Sequence, residues 1–131
     1  MYKIVLLVLV SSILLLTMSC SDNSTDTIKL TPIDTTLKMT FIELGADWCE
    51  PCKNMRPVMD SIQKKYGSQI LVKFIDVVKN SKEAEPFKIT LMPTQVFLDT
   101  NNIEIHRHKG FYHEDSIHVF LQSKGLKILS N

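Results

Sequence analysis

Two kinds of hydrophobic patterning divide this chain. Near its start, Ile4 to Leu16 is an apolar run interrupted only by Ser11 and Ser12, and Ser21 to Thr27 then holds no apolar residue. From Met39 onward the apolar positions recur with the periods of strands and helices. Met39 to Leu44 is a compact apolar run broken by Thr40 and Glu43 and bounded by Gly45, which predicts a buried strand. Cys49 to Tyr66 predicts a helix: Met55, Met59, Ile62 and Tyr66 form one apolar face. Pro51 falls in its first turn, where a missing N–H costs little; Pro57 is expected to kink it and Gly67 to end it. Further strands are predicted at Ile70–Asp76, Thr94–Leu98 and Ile103–His108, with a short helix over Lys82–Lys88 capped by Asn80-Ser81. Thr100-Asn101-Asn102 makes a hairpin turn, and Ile117, Phe120 and Leu121 mark the core face of a last helix ended by Gly125. Strands joined through helices imply parallel pairing, and the last two strands an antiparallel hairpin. The expected architecture is α/β, a small mixed sheet with helices on both faces.

The apolar leader is short for a bilayer span, which needs about 20 residues, and it follows one positive charge at Lys3. It reads as a signal peptide. Ser19 directly before Cys20, after that run, resembles the lipobox of bacterial lipoproteins, with Thr17 where leucine is usual. That resemblance implies cleavage before Cys20 and its lipidation. The expected organisation is a signal peptide and lipidation site over 1–20, a flexible tether over 21–27 and one domain over 28–131. The lipid would hold the domain at a bacterial membrane surface, facing the periplasm or the cell exterior. With 131 residues, 44% hydrophobic and 22% charged, the composition suits one globular core. A net charge of +1 gives no reason to expect nucleic acid, and a monomer is expected.

Lipidation of Cys20 would leave Cys49 and Cys52 as a pair. They follow a predicted strand and open a predicted helix. The unpaired N–H groups there lower the pKa of Cys49, and the thiolate is the nucleophile. Cys52, one turn deeper, is the resolving thiol. Ala46-Asp47-Trp48-Cys49-Glu50-Pro51-Cys52-Lys53 resembles the active-site segment of thioredoxins, with Glu50 where glycine is commonest. Pro57 matches that family's helix proline, and Met92-Pro93-Thr94 its cis-proline turn. The resemblance spans Met39 to about Lys124 and implies the thioredoxin fold and disulfide exchange without a cofactor. It also implies that Glu43, six residues before Cys49, relays a proton for Cys52. By the same resemblance Trp48, Glu50, Pro51, Met92 and Pro93 form the substrate surface, and Pro93 keeps metal from the thiols. The alternative for Glu43 is a solvated charge at the strand end.

Two other function classes fit parts of the pattern. One is a metal site using the cysteines, or His106, His108 and His113. The other is a non-catalytic binding module of the same fold. Within disulfide chemistry, no cation separates the cysteines and Glu50 opposes a very acidic Cys49, which favours a reductase over a disulfide-forming oxidase. The expected substrates are disulfide-bonded exported proteins, with apocytochrome c and a peroxidase as candidates. Phe41-Ile42-Glu43-Leu44-Gly45 and Met92-Pro93-Thr94-Gln95-Val96-Phe97-Leu98-Asp99 also resemble segments of small bacterial thioredoxin-family proteins associated with membrane thiol carriers of the cytochrome c biogenesis type, which implies such a carrier as electron donor.

Overall fold

The computed structural model describes residues 37–129, all within the second of the chain's two units, Pro32–Asn131. The segments expected to be a signal peptide and a tether, Cys20 and the expected start of the domain lie outside the described residues.

Four strands form the sheet: β1 (Met39–Gly45), β2 (Ile70–Asp76), β3 (Thr94–Leu98) and β4 (Glu104–Lys109), in the order β2-β1-β3-β4. Three helices accompany them: α1 (Glu50–Tyr66), α2 (Ser81–Ala84) and α3 (Glu114–Ser123). β1 and β2 are parallel, from Met39↔Ile70 to Gly45↔Asp76. β3 runs antiparallel to β1, from Thr40↔Leu98 to Leu44↔Thr94, and β4 antiparallel to β3.

Parallel pairing through helices therefore holds for β1 and β2 and fails for β3. The reason is where the connection travels. Gly45, the partner of Asp76 at the end of β2, adjoins Leu44, the partner of Thr94 at the start of β3. The chain leaves and re-enters the sheet at the same end, so the strand direction reverses. The helix expected over Lys82–Lys88 is one short α-turn followed by a 3-10 turn, Glu85–Phe87. Pro86 has no N–H to continue an α-helix, and Lys88 closes the turn with a left-handed φ of 46°. α1 runs through Pro57 without ending there and stops at Gly67, whose φ is 56°.

Strand alternation sorts the core into two layers. Phe41 and Phe97 face α1 and α3, in one cluster with Met55, Ile62, Tyr66 and Ile117. Their rings stack 4.7 Å apart, and truncating such a ring to alanine typically costs about 3–5 kcal/mol. Ile42, Leu44, Ile75 and Val96 face the other way, against Ala84 of α2. Helices cover both faces, and the ends of β1 and β2, the start of β3 and the N-terminus of α1 meet at one end. Among the described residues no helix is long and apolar enough to cross a membrane.

Candidate active site

Cys49 is the residue before α1, with extended backbone (φ −79°, ψ 112°), and Cys52 lies inside the first turn. The two form a disulfide across 5.3 Å between Cα atoms, within the usual range for such bridges. They are not equivalent. Cys49 is 7% exposed and Cys52 1%. Gly45 closes the inner side: a Cβ there would stand 2.8 Å from the Cys52 sulfur and 3.0 Å from its Cβ. The close approach of β1 to Cys52 needs a residue without a side chain.

The Met92–Pro93 bond is cis, and Pro93 is buried. Met92 packs against the cluster of Ala46, Cys49 and Cys52. Thr94 donates from Oγ1 to the Leu91 carbonyl (2.7 Å), and the Gly110 N–H donates to the Pro93 carbonyl (2.8 Å), which ties the turn to the end of β4. Beside Met92 lies an open depression of about 290 Å³ lined by Val77, Ile89, Thr90 and Leu91. Trp48, directly before Cys49, is 68% exposed. Glu50 and Pro51 are exposed too, and Glu50 accepts from Lys53 Nζ at 3.1 Å.

The Trp48 segment is tied down by charge. Asp76 accepts the Asp47 N–H through Oδ2 (3.1 Å) and those of Val78 and Lys79 through Oδ1 (3.0 Å each). These backbone donors, Lys79 first, hold Asp76 below the usual carboxylate range. The Asp47 carboxylate in turn meets Lys79 and Arg56, the latter at 2.6 Å, and both lower its pKa. The Arg56 guanidinium lies 5.2 Å from the centre of the Phe74 ring.

Glu43 is fully buried and so is not a solvated charge. It shares a face with Phe41 and Gly45, the face that meets Cys52. Its Oε2 accepts from Gln95 Nε2 at 2.9 Å, while Glu43 Oε1 and Gln95 Oε1 are buried and have no hydrogen-bond partner among the described residues. Burial pushes the Glu43 pKa up to about 8, against the smaller opposing effect of the Gln95 hydrogen bond.

The sequence reading missed Gln95, the tight fit at Gly45 and the Asp47–Asp76 anchor. An amide directly before Val96-Phe97-Leu98 was the available signal for the first. The histidines named as a metal alternative are otherwise occupied. His106 meets the Tyr112 hydroxyl (3.2 Å) and stacks on Phe120; His108 stacks on Tyr112; His113 precedes α3 against Phe111. Among the described residues no three His, Cys, Asp or Glu side chains are grouped to hold a metal.

The profile of the thioredoxin family matches residues 21–123. Thioredoxin-1 of Drosophila melanogaster is 41% identical over 64 residues, 49% of this chain and 60% of that protein. Thioredoxin H4 of Arabidopsis thaliana is 29% identical over 84 residues, 64% of this chain and 71% of that protein. The crystal structure of the germline-specific thioredoxin Deadhead of Drosophila melanogaster superposes with a TM-score of 0.60 at 31% identity, covering 68% of this chain and 83% of that one. The chain spans about 60% of the length of the Drosophila thioredoxin-1 proteins that it matches. With its mixed sheet, its cysteine pair at the mouth of α1 and its cis-proline beside them, the chain belongs to the thioredoxin family.

Proposed function

We propose that this protein is a thiol–disulfide oxidoreductase that reduces disulfides of exported proteins while held at a bacterial membrane by a lipid on Cys20. The observation that carries the chemistry is the Cys49–Cys52 disulfide at the N-terminus of α1, packed against Met92 beside cis-Pro93.

In the reduced enzyme the Cys49 thiolate attacks one sulfur of a substrate disulfide. The substrate S–S bond breaks, a Cys49–substrate disulfide forms and a substrate thiolate leaves. Cys52 then gives its proton to the Glu43 carboxylate, and its thiolate attacks the Cys49 sulfur. The mixed disulfide breaks, the second substrate thiolate leaves, and the Cys49–Cys52 disulfide remains. Two electrons have passed to the substrate; a dithiol donor returns them, and Glu43 releases the proton. No cofactor takes part, because the two sulfurs carry the electrons. Trp48, Glu50, Pro51, Met92 and Pro93 frame the docking surface. The backbone of Met92 is suited to pair with an extended substrate segment, and the depression beside it to take a side chain.

Direction is argued from charge. No cation lies between the cysteines, and the Glu50 carboxylate there is already engaged by Lys53. A strong oxidant requires an extremely acidic Cys49, which a carboxylate beside it at Glu50 opposes. A reductase outside the cytoplasm needs electrons from across the membrane, so a membrane thiol carrier is the proposed donor. Apocytochrome c and a peroxidase are candidate substrates.

The deciding experiment equilibrates the Cys49–Cys52 pair in defined thiol buffers. A reduction potential near about −270 mV is expected for a reductase. A value near about −120 mV would make the protein a disulfide-forming oxidase, and failure to form a reversible disulfide would leave a binding module.

A further inference from the structure

Glu43 and Gln95 are directly opposed on β1 and β3, and neither is exposed. The Gln95 amide is the one hydrogen bond recorded for the Glu43 carboxyl group among the described residues. Among the described residues no cation bonds to either side chain of the pair. On β2 the residue opposite Glu43 is Phe74; Asp76 lies two positions further on, occupied by backbone N–H groups. From α1 come the two cysteines, with Arg56 at the rim over Phe74. On β4 the residue opposite Gln95 is His108, whose ring stacks on Tyr112. Glu114 and His118 of α3 engage Lys65 and Tyr66 at the far end of α1.

We infer that Gln95 is a positioning residue for proton transfer at the cysteine pair, its amide fixing the Glu43 carboxyl group and setting the pH at which that group exchanges its proton. The inference rests on the relay proposed for Glu43. An amide is suited to this place because it partners either state. Its N–H donates to the ionised carboxylate; turned over, its carbonyl accepts from the protonated acid. The two are not equal, since a hydrogen bond to a charged group is roughly twice as strong as a neutral one. Gln95 therefore favours the ionised form, the one that can take the proton of Cys52. With no cation bonded to Glu43 among the described residues, it takes the place of a countercharge.

Gln95→Met keeps the length of the side chain and removes the donor. The test follows the Glu43 carboxyl carbon by NMR as pH is varied, in the oxidised full-length chain. The Glu43 midpoint is expected to rise by about one pH unit in Gln95→Met. In the unmutated chain, which needs no variant to fold, the Gln95 side-chain N–H signals should move with the same midpoint as Glu43. An unchanged Glu43 midpoint, or Gln95 signals indifferent to that titration, overturns the inference. A second arm measures the pH profile of mixed-disulfide resolution. Suppose Glu43→Gln alters that profile and Gln95→Met does not: the relay stands and the role of Gln95 falls. If Glu43→Gln leaves the profile unchanged, the relay falls and the role of Gln95 falls with it.

Discussion

A carboxyl group with a pKa near 8 inside a protein that denatures to water is a liability with a definite sign. Below pH about 4.5 Glu43 is protonated in both states and costs little. As pH rises toward 8 the unfolded chain loses the proton while the folded one keeps it, so stability falls across that window. Glu43→Gln should therefore be more stable than the unmutated chain at pH 8, by on the order of a few kcal/mol, and nearly equal to it at pH 4. Denaturant melts at the two pH values check this; equal melts at pH 8 would mean that the acid is not paying a desolvation penalty. The same variant should resolve mixed disulfides more slowly near neutral pH by about 100-fold or more, the low end of what a positioned proton acceptor typically contributes. Gly45→Ala tests the fit behind Cys52: the added methyl meets sulfur at 2.8 Å and backbone-bound carbon at 3.0 Å. A destabilisation of about 1–3 kcal/mol is expected, with a disturbed Cys49–Cys52 equilibrium in thiol buffers. The cysteines and prolines of this site were legible because their spacing is local. Gln95 was not, because its role comes from a cross-strand register that no local pattern states.

Between elements, one carboxylate clasps α1 to α3. Glu114 Oε1 accepts from Ser61 Oγ (2.6 Å) and Lys65 Nζ (2.7 Å) and meets His118 Nε2 at 3.1 Å. His118 reaches on through Nδ1 to the Tyr66 hydroxyl at 3.0 Å. Lys65 first, then Ser61, holds the Glu114 pKa down to about 2. A depressed acid contributes its stability above the unfolded value and loses it as pH falls toward the folded one, here from about 4.5 to about 2. Glu114→Gln should flatten the acid side of the stability curve and weaken its dependence on salt, as followed by circular dichroism at low and high ionic strength. An acid limb as steep as that of the unmutated chain would exclude the clasp. At this scale the hydrophobic periods located every strand and the two long helices. They failed where Pro86 cut α2 short, and in the direction of β3, which depends on the end of the sheet where the connection runs.

For the whole molecule the two carboxyl groups act in opposite directions, and their joint contribution is greatest near the ordinary glutamate value, about pH 4.5, rather than at the sequence pI of 7.7. The proposed anchor gives a prediction that depends on no site chemistry. Expressed in a bacterium that lipidates exported proteins, the chain should fractionate with membranes, and Cys20→Ala should release it to the soluble fraction. Identical fractionation would remove the anchor. The layered α/β fold was legible because apolar runs of the right length alternate with amphipathic ones. The fit between layers, such as β1 against Cys52, is a property of three-dimensional packing that hydrophobicity does not encode.

With Cys52 at 1% exposure behind Gly45 and Cys49, at 7%, the only one of the pair within a partner's reach, the cysteine pair offers a single berth. Under the proposed chemistry, the protein that delivers electrons and the one that receives them must moor at the same place in turn. No queue can form through the interior. Each visitor therefore blocks the other, and an excess of either should slow turnover rather than speed it. Initial rates plotted against one partner at several fixed levels of the other should give the parallel lines of an alternating shuttle.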